Sequence, residues 1–438
     1  MEKRDTTWII VFLVLGAAGL WAFLNNYDRA IPIASLDFKL SRDEAFLEAQ
    51  KFAVSRGHDL GSFESAQIFA PDMMSQIFLQ KSVGLEEMNR LAREWISIFN
   101  WRFRWYKPHE KEEIHVHLDP GGRVVYYGHE ILDEAEGANL TEADAQPIAE
   151  SFVFDTQGFR RDEWVEIEKS SEERTARTDH TFTYRKTGFM AGDDGHYRMT
   201  VVVQGNRIGE FDEFLYVPES FERAFEKTRS QANLLTSFFS ICWIALGIAV
   251  VVILARRYRA GGLQWRSSTI LGIAVLAAML LAQLNSIPLI QYNYDTTQST
   301  GFFYIVIIMT IILASVFTGG IVMVTGTAGG WITRDIFGSS RLYPSLSFRN
   351  LVSGRFVKAT LIGYGLAGMM LGFLILFYYI GTELFGVWSP AYVIEYDNAF
   401  STAFPWAYPL LVGLVAAAQE EFFFRLLAVS LLLRWLKI

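Results

Sequence analysis

Gln419-Glu420-Glu421-Phe422-Phe423-Phe424-Arg425 sits inside an otherwise apolar run from about Pro405 to Leu433. A run of that length can cross a bilayer as an α-helix. Ionisable groups at such depth are costly, face protein or a water-filled cavity, and mark a functional site by default. This stretch sets the fold class: a polytopic α-helical membrane protein. The rest of the chain is then sorted into spans, loops and a water-exposed part.

The 438 residues are 51% hydrophobic and 15% aromatic, and mean hydropathy is positive. Those values suit a membrane protein that also carries an aqueous domain. The formal charge is -8 and no basic stripe occurs, so nucleic acid is not an expected partner. The single cysteine, Cys242, lies in an apolar run. The aqueous part therefore has no internal disulfide, and cysteine usage does not report the redox compartment.

Working back to the start, Thr7 to Asn26 is apolar and defines a first transmembrane helix within residues 1–27. A signal peptide is the competing reading. The exit, Leu24-Asn25-Asn26-Tyr27-Asp28, lacks a small-residue cleavage pattern, which favours an uncleaved helix.

Residues 28–230 contain no spanning segment and read as an α+β domain with a weak internal repeat. Ser41-Arg42-Asp43-Glu44 opens one helix with a capping-box pattern, and Thr141-Glu142-Ala143-Asp144 opens another. Trp101-Arg102-Phe103-Arg104-Trp105 in the first half answers Phe182-Thr183-Tyr184 in the second. Each half closes on a hairpin pattern, Ile114–Leu118 with Val124–Tyr127, and Tyr197–Val203 with Ile208 onward. A helical insertion over about Leu85 to Phe99 is expected in the first half. The order, helix first and sheet after, resembles PepSY-type modules, small domains often attached to membrane proteases.

Five further spans follow, roughly 233–255, 268–290, 302–326, 358–381 and 405–433, after a charged lead-in at Phe221–Arg229. They divide into residues 231–357 (spans two to four) and 358–438 (spans five and six). Arg256, Arg257, Arg259 and Arg266 follow the second span; Arg334, Arg341, Arg349, Arg355 and Lys358 follow the fourth. Both loops are expected in the cytoplasm. Gln291–Gly301 and the loop with Glu383, Glu395 and Asp397 carry no basic residue and are expected outside. The amino terminus is then cytoplasmic, residues 28–230 lie outside, and the sixth helix runs inward to Arg434 and Lys437. A bacterial plasma membrane is the expected location.

Glu421 and Arg425 are four apart and share a helix face, with the acid leading. Glu420 lacks a local cation, and two adjacent carboxylates disfavour double ionisation. A carboxyl group left in that position suits general acid–base work near neutral pH. Here the residues resemble a family. Glu-Glu-x-x-x-Arg in a transmembrane helix is similar to the first motif of the CPBP (CAAX protease and bacteriocin-processing, also ABI) intramembrane proteases. The resemblance implies Glu420 as the base that activates water against a peptide bond, with Glu421 and Arg425 supporting it. Peptides or membrane proteins are the implied substrates.

That family carries later Phe-x-x-x-His and His-x-x-x-Asn/Asp motifs, which do not occur here. His196 is the last of the seven histidines. A continuation past Ile438 that supplies them is the expectation, ahead of a degenerate relative without hydrolytic machinery. Residues 1–438 alone are expected not to hydrolyse peptides. The family's naming implies a divalent metal such as zinc, but the sequence contains no recognisable ligand set.

Blander readings stand beside these. The charged trio can be a structural ion-pair cluster, or line a proton-coupled transport path; the whole chain can be a non-enzymatic sensor or scaffold. His115 and His117 alternate on one strand face, as ligands can, yet a solvated face is preferred because no third ligand is placed. Gly368-Met369-Met370-Leu371-Gly372 and the glycines from Gly319 to Gly330 read as helix-packing sites. Gln283 and Asn285 read as bonds to a neighbouring helix, and Asn139-Leu140-Thr141 as a helix cap ahead of a glycosylation site.

Overall fold

The computed structural model describes residues 3–31, 36–260, 263–338, 353–386 and 396–436. Arg341, Arg349, Glu395 and Lys437, used above to orient the loops, lie outside the described residues.

After helix α1 (Lys3–Ala30), Ser41 caps α2 (Arg42–Ser55). Glu44 accepts the Ser41 N–H at 2.8 Å while the Ser41 side chain accepts the Glu44 N–H, so the capping box is reciprocal. Then come β1 (Glu64–Pro71), α3 (Met73–Ser82), α4 (Leu85–Glu94), β2 (Phe99–Tyr106), β3 (Glu113–Leu118) and β4 (Val124–Glu130). The second half repeats the plan without inserted helices. Thr141 caps α5 (Glu142–Glu150), followed by β5 (Trp164–Glu173), β6 (Thr178–Lys186), β7 (His196–Gln204) and β8 (Arg207–Tyr216).

The eight strands form one antiparallel sheet in the order β1-β2-β3-β4-β8-β7-β6-β5. Each half is a meander, and the halves join through their last strands, with Tyr126 opposite Asp212 and Gly128 opposite Glu210. Trp101–Trp105 and Phe182–Tyr184 fall in β2 and β6, each one strand in from an edge. The halves are not separate bodies. One core takes Trp101, Phe103 and Trp105 from the first and Phe182, Tyr197 and Phe211 from the second. The insertion starts earlier than expected, with α3 at Met73, and Phe99 already belongs to β2. Ser75 to Gln80 of α3 are all buried, so the helix lacks the three-to-four-residue alternation that reveals one in sequence.

From the sheet, α6 (Glu219–Ala260) departs without a break. No proline or glycine separates the charged lead-in from the apolar run, so the two form one helix. Next are α7 (Trp265–Asn285), the short α8 (Ile287–Tyr292), α9 (Thr300–Phe337), α10 (Gly354–Phe385) and α11 (Tyr396–Ser401). Among the described residues, five helices are long and apolar enough to cross a membrane, through Thr6–Tyr27, Glu219–Tyr258, Trp265–Asn285, Thr300–Ile336 and Gly354–Thr382. The apolar run that carries Glu420, Glu421 and Arg425 is helical from Ala407 to Leu436 but not uniform. It comprises α12 (Ala407–Glu420), a π-wound segment Glu421–Ala428, and α13 (Val429–Leu436).

The long helices form two groups. In one, α1 pairs with α10 at backbone contact: a Cβ on Gly16 would lie 2.5 Å from the Gly365 carbonyl oxygen, and one on Gly368 would lie 2.4 Å from that of Gly16. Glycine is the residue that permits such an approach. In the other, α7, α9 and the final helix pack together, with α6 alongside.

Candidate functional site

Glu420, Glu421 and Arg425 lie where the final helix changes its winding. Past Glu420 the backbone bonds lengthen to the π pattern, and the Val429 N–H reaches the Phe424 carbonyl, five residues back. Such segments are rare and concentrate at functional sites. Arg425 Nη1 donates to the Glu421 carboxylate at 2.8 Å. Glu420 has no ion-pair partner among the described residues. The structure therefore brings Glu421 and Arg425 together and leaves Glu420 apart. All three are exposed on the bundle formed by the described residues; the Glu421 side chain is 54% exposed and that of Arg425 78%. The expectation that these groups face protein or a cavity is not met within that bundle.

The opposite face of the same turns is buried. Phe423 stacks on Trp243 of α6 with ring centroids 3.5 Å apart, and Leu427 is fully enclosed. Ser430 Oγ and Thr333 Oγ1 of α9 share a hydrogen bond of 2.8 Å. A Cβ on Gly329 would stand 3.0 Å from the Leu426 carbonyl carbon, so the absence of a side chain on α9 admits this helix.

Packing also sets the position of the motif along the bundle. At one end Asn285 brackets Phe404, accepting its N–H at 2.7 Å and donating to its carbonyl at 3.0 Å. Asn285 thus fastens neighbouring segments and does not reach Glu420. The motif belongs to the other end, where Phe422 and Ser268 both flank Gly326. Beyond it, Arg257 and Arg434 each lie over the Trp331 ring, at 4.3 and 4.9 Å, and Arg434 pairs with Asp335 at 3.2 Å.

The sheet sits against the Asn285 end. Alternation along β2 sends Trp101, Phe103 and Trp105 to the core and Arg102, Arg104 and Tyr106 to the other face. Arg104 and Glu113 form a double hydrogen bond there, both contacts 2.6 Å. Arg104 Nη1 also donates to the carbonyls of Tyr292 and Tyr294, each at 2.7 Å, and Thr296 Oγ1 donates to Glu113 at 3.3 Å. At the sheet edge, Ser401 Oγ accepts the Phe69 N–H at 2.9 Å, and Arg42 donates to the Thr402 carbonyl at 2.7 Å. Two loops expected on one side of the membrane therefore both fasten to the sheet.

His115 and His117 share this face, and it is not a solvated one. His115 Nε2 lies 3.1 Å from Glu113 Oε2, and His117 stacks on Tyr126 with centroids 4.5 Å apart. Burial pushes the Glu113 carboxyl up, but hydrogen bonds from His115 and Arg104 outweigh it and hold the group at about 2. Across the strands the row continues from His117 to Tyr126 to Asp212. Burial, with Glu210 adding, pushes the Asp212 carboxyl up to about 7. Sequence reasoning found none of these partnerships; the alternation of β2 and β3 was their only local signal.

Comparison with known families gives one match. Residues 97–190 match the family model DUF4901, described as the YcdB, YcdC repeated domain. The matched segment runs from just before β2 to just past β6, so it draws on both halves of the sheet and on none of the long apolar helices. No curated protein matches the chain, and no solved structure does.

Proposed function

We propose that this chain is an integral membrane protein whose final helix carries part of the site of an intramembrane endopeptidase of the CPBP type. One observation carries the reading: Glu420, Glu421 and Arg425 form an exposed ionisable face on an apolar helix, at the point where its winding turns to π. Facing lipid, such a group of side chains is strongly unfavourable. A further protein element must cover it, and the covered space is a water-holding site bounded by Glu420. Arg425 neutralises Glu421, which leaves Glu420 as the carboxylate able to take a proton.

In the proposed reaction Glu420 removes a proton from water, and the resulting hydroxide attacks the carbonyl carbon of a peptide bond. Glu420 then returns the proton to the leaving amine. Glu421 and Arg425 are positioning residues. No histidine follows His196, so residues 1–438 do not carry the histidine motifs of that family. The residues present do not fit a zinc centre. Of the two carboxylates, one is engaged by Arg425, and no histidine lies in the helices that surround them. No step is routed through a metal.

The orientation is part of the same reading, with the amino terminus in the cytoplasm and the sheet domain outside a bacterial plasma membrane. Basic residues at one end of the bundle and the sheet at the other support it.

The test is Glu420→Gln in the intact protein in its own membrane, followed by a census of new peptide termini among membrane proteins. Termini that depend on the wild-type chain and vanish in Glu420→Gln, at equal membrane level, are the expected result. Unchanged termini overturn the base assignment. Absence of any histidine-bearing partner helix, whether beyond residue 438 or in an associated subunit, overturns the peptidase reading.

A further inference from the structure

The seam between the two halves of the sheet borders an open pocket of ≈ 630 Å³. Both halves supply its walls. Arg56 and His58 come from the end of α2, Lys107 and Glu112 flank the β2–β3 turn, His129 lies on β4, and Arg207 begins β8. The size is that of a small-ligand site.

Its charges are unevenly matched. Both nearby acids are engaged. Glu112 accepts from Lys107 at 3.1 Å and lies 3.1 Å from His129 Nε2, and Asp59 accepts the Gly61 N–H at 3.1 Å. Arg56 and Arg207 have no carboxylate partner among the described residues. Arg56 lies over the Phe152 ring at 5.3 Å, and its Nε is buried without a hydrogen-bond partner. A buried, unmet guanidinium donor is costly unless something supplies an acceptor. Two imidazoles line the same pocket, with His58 and His129 ring centroids 4.5 Å apart. His58 Nε2 is within 2.7 Å of the Tyr127 hydroxyl.

We propose that this seam pocket binds a compact oxyanion, a carboxylate or phosphate group, held by Arg56 and Arg207 with the two histidines beside it. Guanidinium groups match both anions in a bidentate manner. The apolar lining, Phe63 and Ile208, has room for a small body attached to the anion. The site draws on residues from both halves, so an occupant ties the halves together. It stands independently of the peptidase reading.

The pocket predicts its own linkage. Burial is the largest cause that lowers His58, followed by the neighbouring His129, with Arg207 and Arg56 adding and Glu112 opposing; the imidazole is pushed down to about 4. An anion placed against it raises that value. Binding then takes up a proton and tightens as pH falls from about 6 towards 4.

The experiment uses the full chain in nanodiscs, titrated by calorimetry with inorganic phosphate, with a short peptide bearing a free carboxyl terminus, and with the same peptide amidated. The His58 imidazole is followed by NMR. Saturable binding of phosphate or of the free-acid peptide is expected, with an upward shift of the His58 titration. Phosphate alone identifies a phosphate ligand, and the free-acid peptide alone identifies a carboxyl terminus. Arg207→Ala, at an exposed turn, should leave thermal unfolding unchanged. It should weaken binding about tenfold, the loss of one charge-assisted contact. No saturable binding of either anion overturns the proposal. So does equal binding by the amidated peptide, or an affinity unchanged in both Arg207→Ala and Arg56→Gln.

Discussion

Arg104 and Glu113 meet diagonally across β2 and β3 through two 2.6 Å hydrogen bonds, and the remaining Arg104 nitrogen holds the carbonyls of Tyr292 and Tyr294. This ion pair fastens the sheet to the loop between α8 and α9. Both side chains are about nine-tenths buried. Removing one partner leaves the other as an uncompensated buried charge, which costs about 3–5 kcal/mol. Arg104→Met should therefore lower the thermal midpoint sharply and expose the loop at Tyr292–Thr296 to protease. Arg104→Met with Glu113→Gln should recover much of that loss. A double variant as unstable as the single one would show that the ion pair is not what holds the loop.

Acid should release the same contact late. Glu113 is held at about 2, below its ordinary 4.5. A depressed carboxylate contributes stability that is complete above the unfolded value and is lost as pH falls through the folded one. Loop protection, read by hydrogen exchange at Tyr294, should thus persist at pH 5 and disappear between about pH 4.5 and 2. In Glu113→Gln that acid step should be absent.

Asp212 behaves in the opposite sense. Its folded value, about 7, exceeds the ordinary 3.8, chiefly through burial and then through Glu210. The folded state then binds the proton more tightly than the unfolded one, so stability falls as pH rises from about 4 to 7 and stays low above that. Asp212→Asn removes the penalty. It should stabilise the protein by up to about 4 kcal/mol at pH 8 and have little effect at pH 4, read as thermal midpoints at the two pH values. An Asn variant destabilised at pH 8 would contradict this account.

What the sequence made legible follows from the range of each interaction. Long apolar runs, the capping boxes at Ser41 and Thr141, the alternation of Trp101, Phe103 and Trp105, and the four-residue spacing of Glu421 and Arg425 are all local. Each can be read from a short window. The helix α3 was hidden because its buried residues are consecutive. The π winding at Glu421 was hidden because residue types do not distinguish a four-residue from a five-residue backbone bond. Arg104 with Tyr292, Phe69 with Ser401 and Arg56 with Arg207 join distant parts of the chain, and only the packed sheet brings them together.

The glycine contact between α1 and α10 allows a direct test of helix pairing. Gly16 and Gly368 leave no space for a Cβ on either side, since the nearest atoms are backbone carbonyls that cannot turn away. Gly16→Val should force the helices apart by at least the width of a methyl group. Tyr27 of α1 and Ile375 of α10 share one apolar cluster, so cysteines at these two positions should be joined readily by a short bifunctional thiol reagent in an otherwise wild-type chain. The yield should drop several-fold with Gly16→Val. Undiminished cross-linking would mean that the two helices pair by another face.

The pair formed by Glu421 and Arg425 separates a structural ion pair from a lipid-facing one. On the proposed placement of the final helix in the bilayer, an unpaired charge costs about 3 kcal/mol on insertion scales. Arg425→Met strands Glu421, and Glu421→Gln strands Arg425, so each single change should lower the membrane level of the protein. The double change strands neither and should restore that level, because packing on α9 runs through Phe423, Leu427 and Ser430 on the opposite face. On the proposed peptidase reading, cleavage should not return with it, because Glu420 would lose the neighbouring ion pair proposed to position it. Recovery of both level and cleavage in the double variant would leave Glu421 and Arg425 no role beyond charge balance. Failure to recover the level would mean that the pair makes further contacts, with an element outside the described residues.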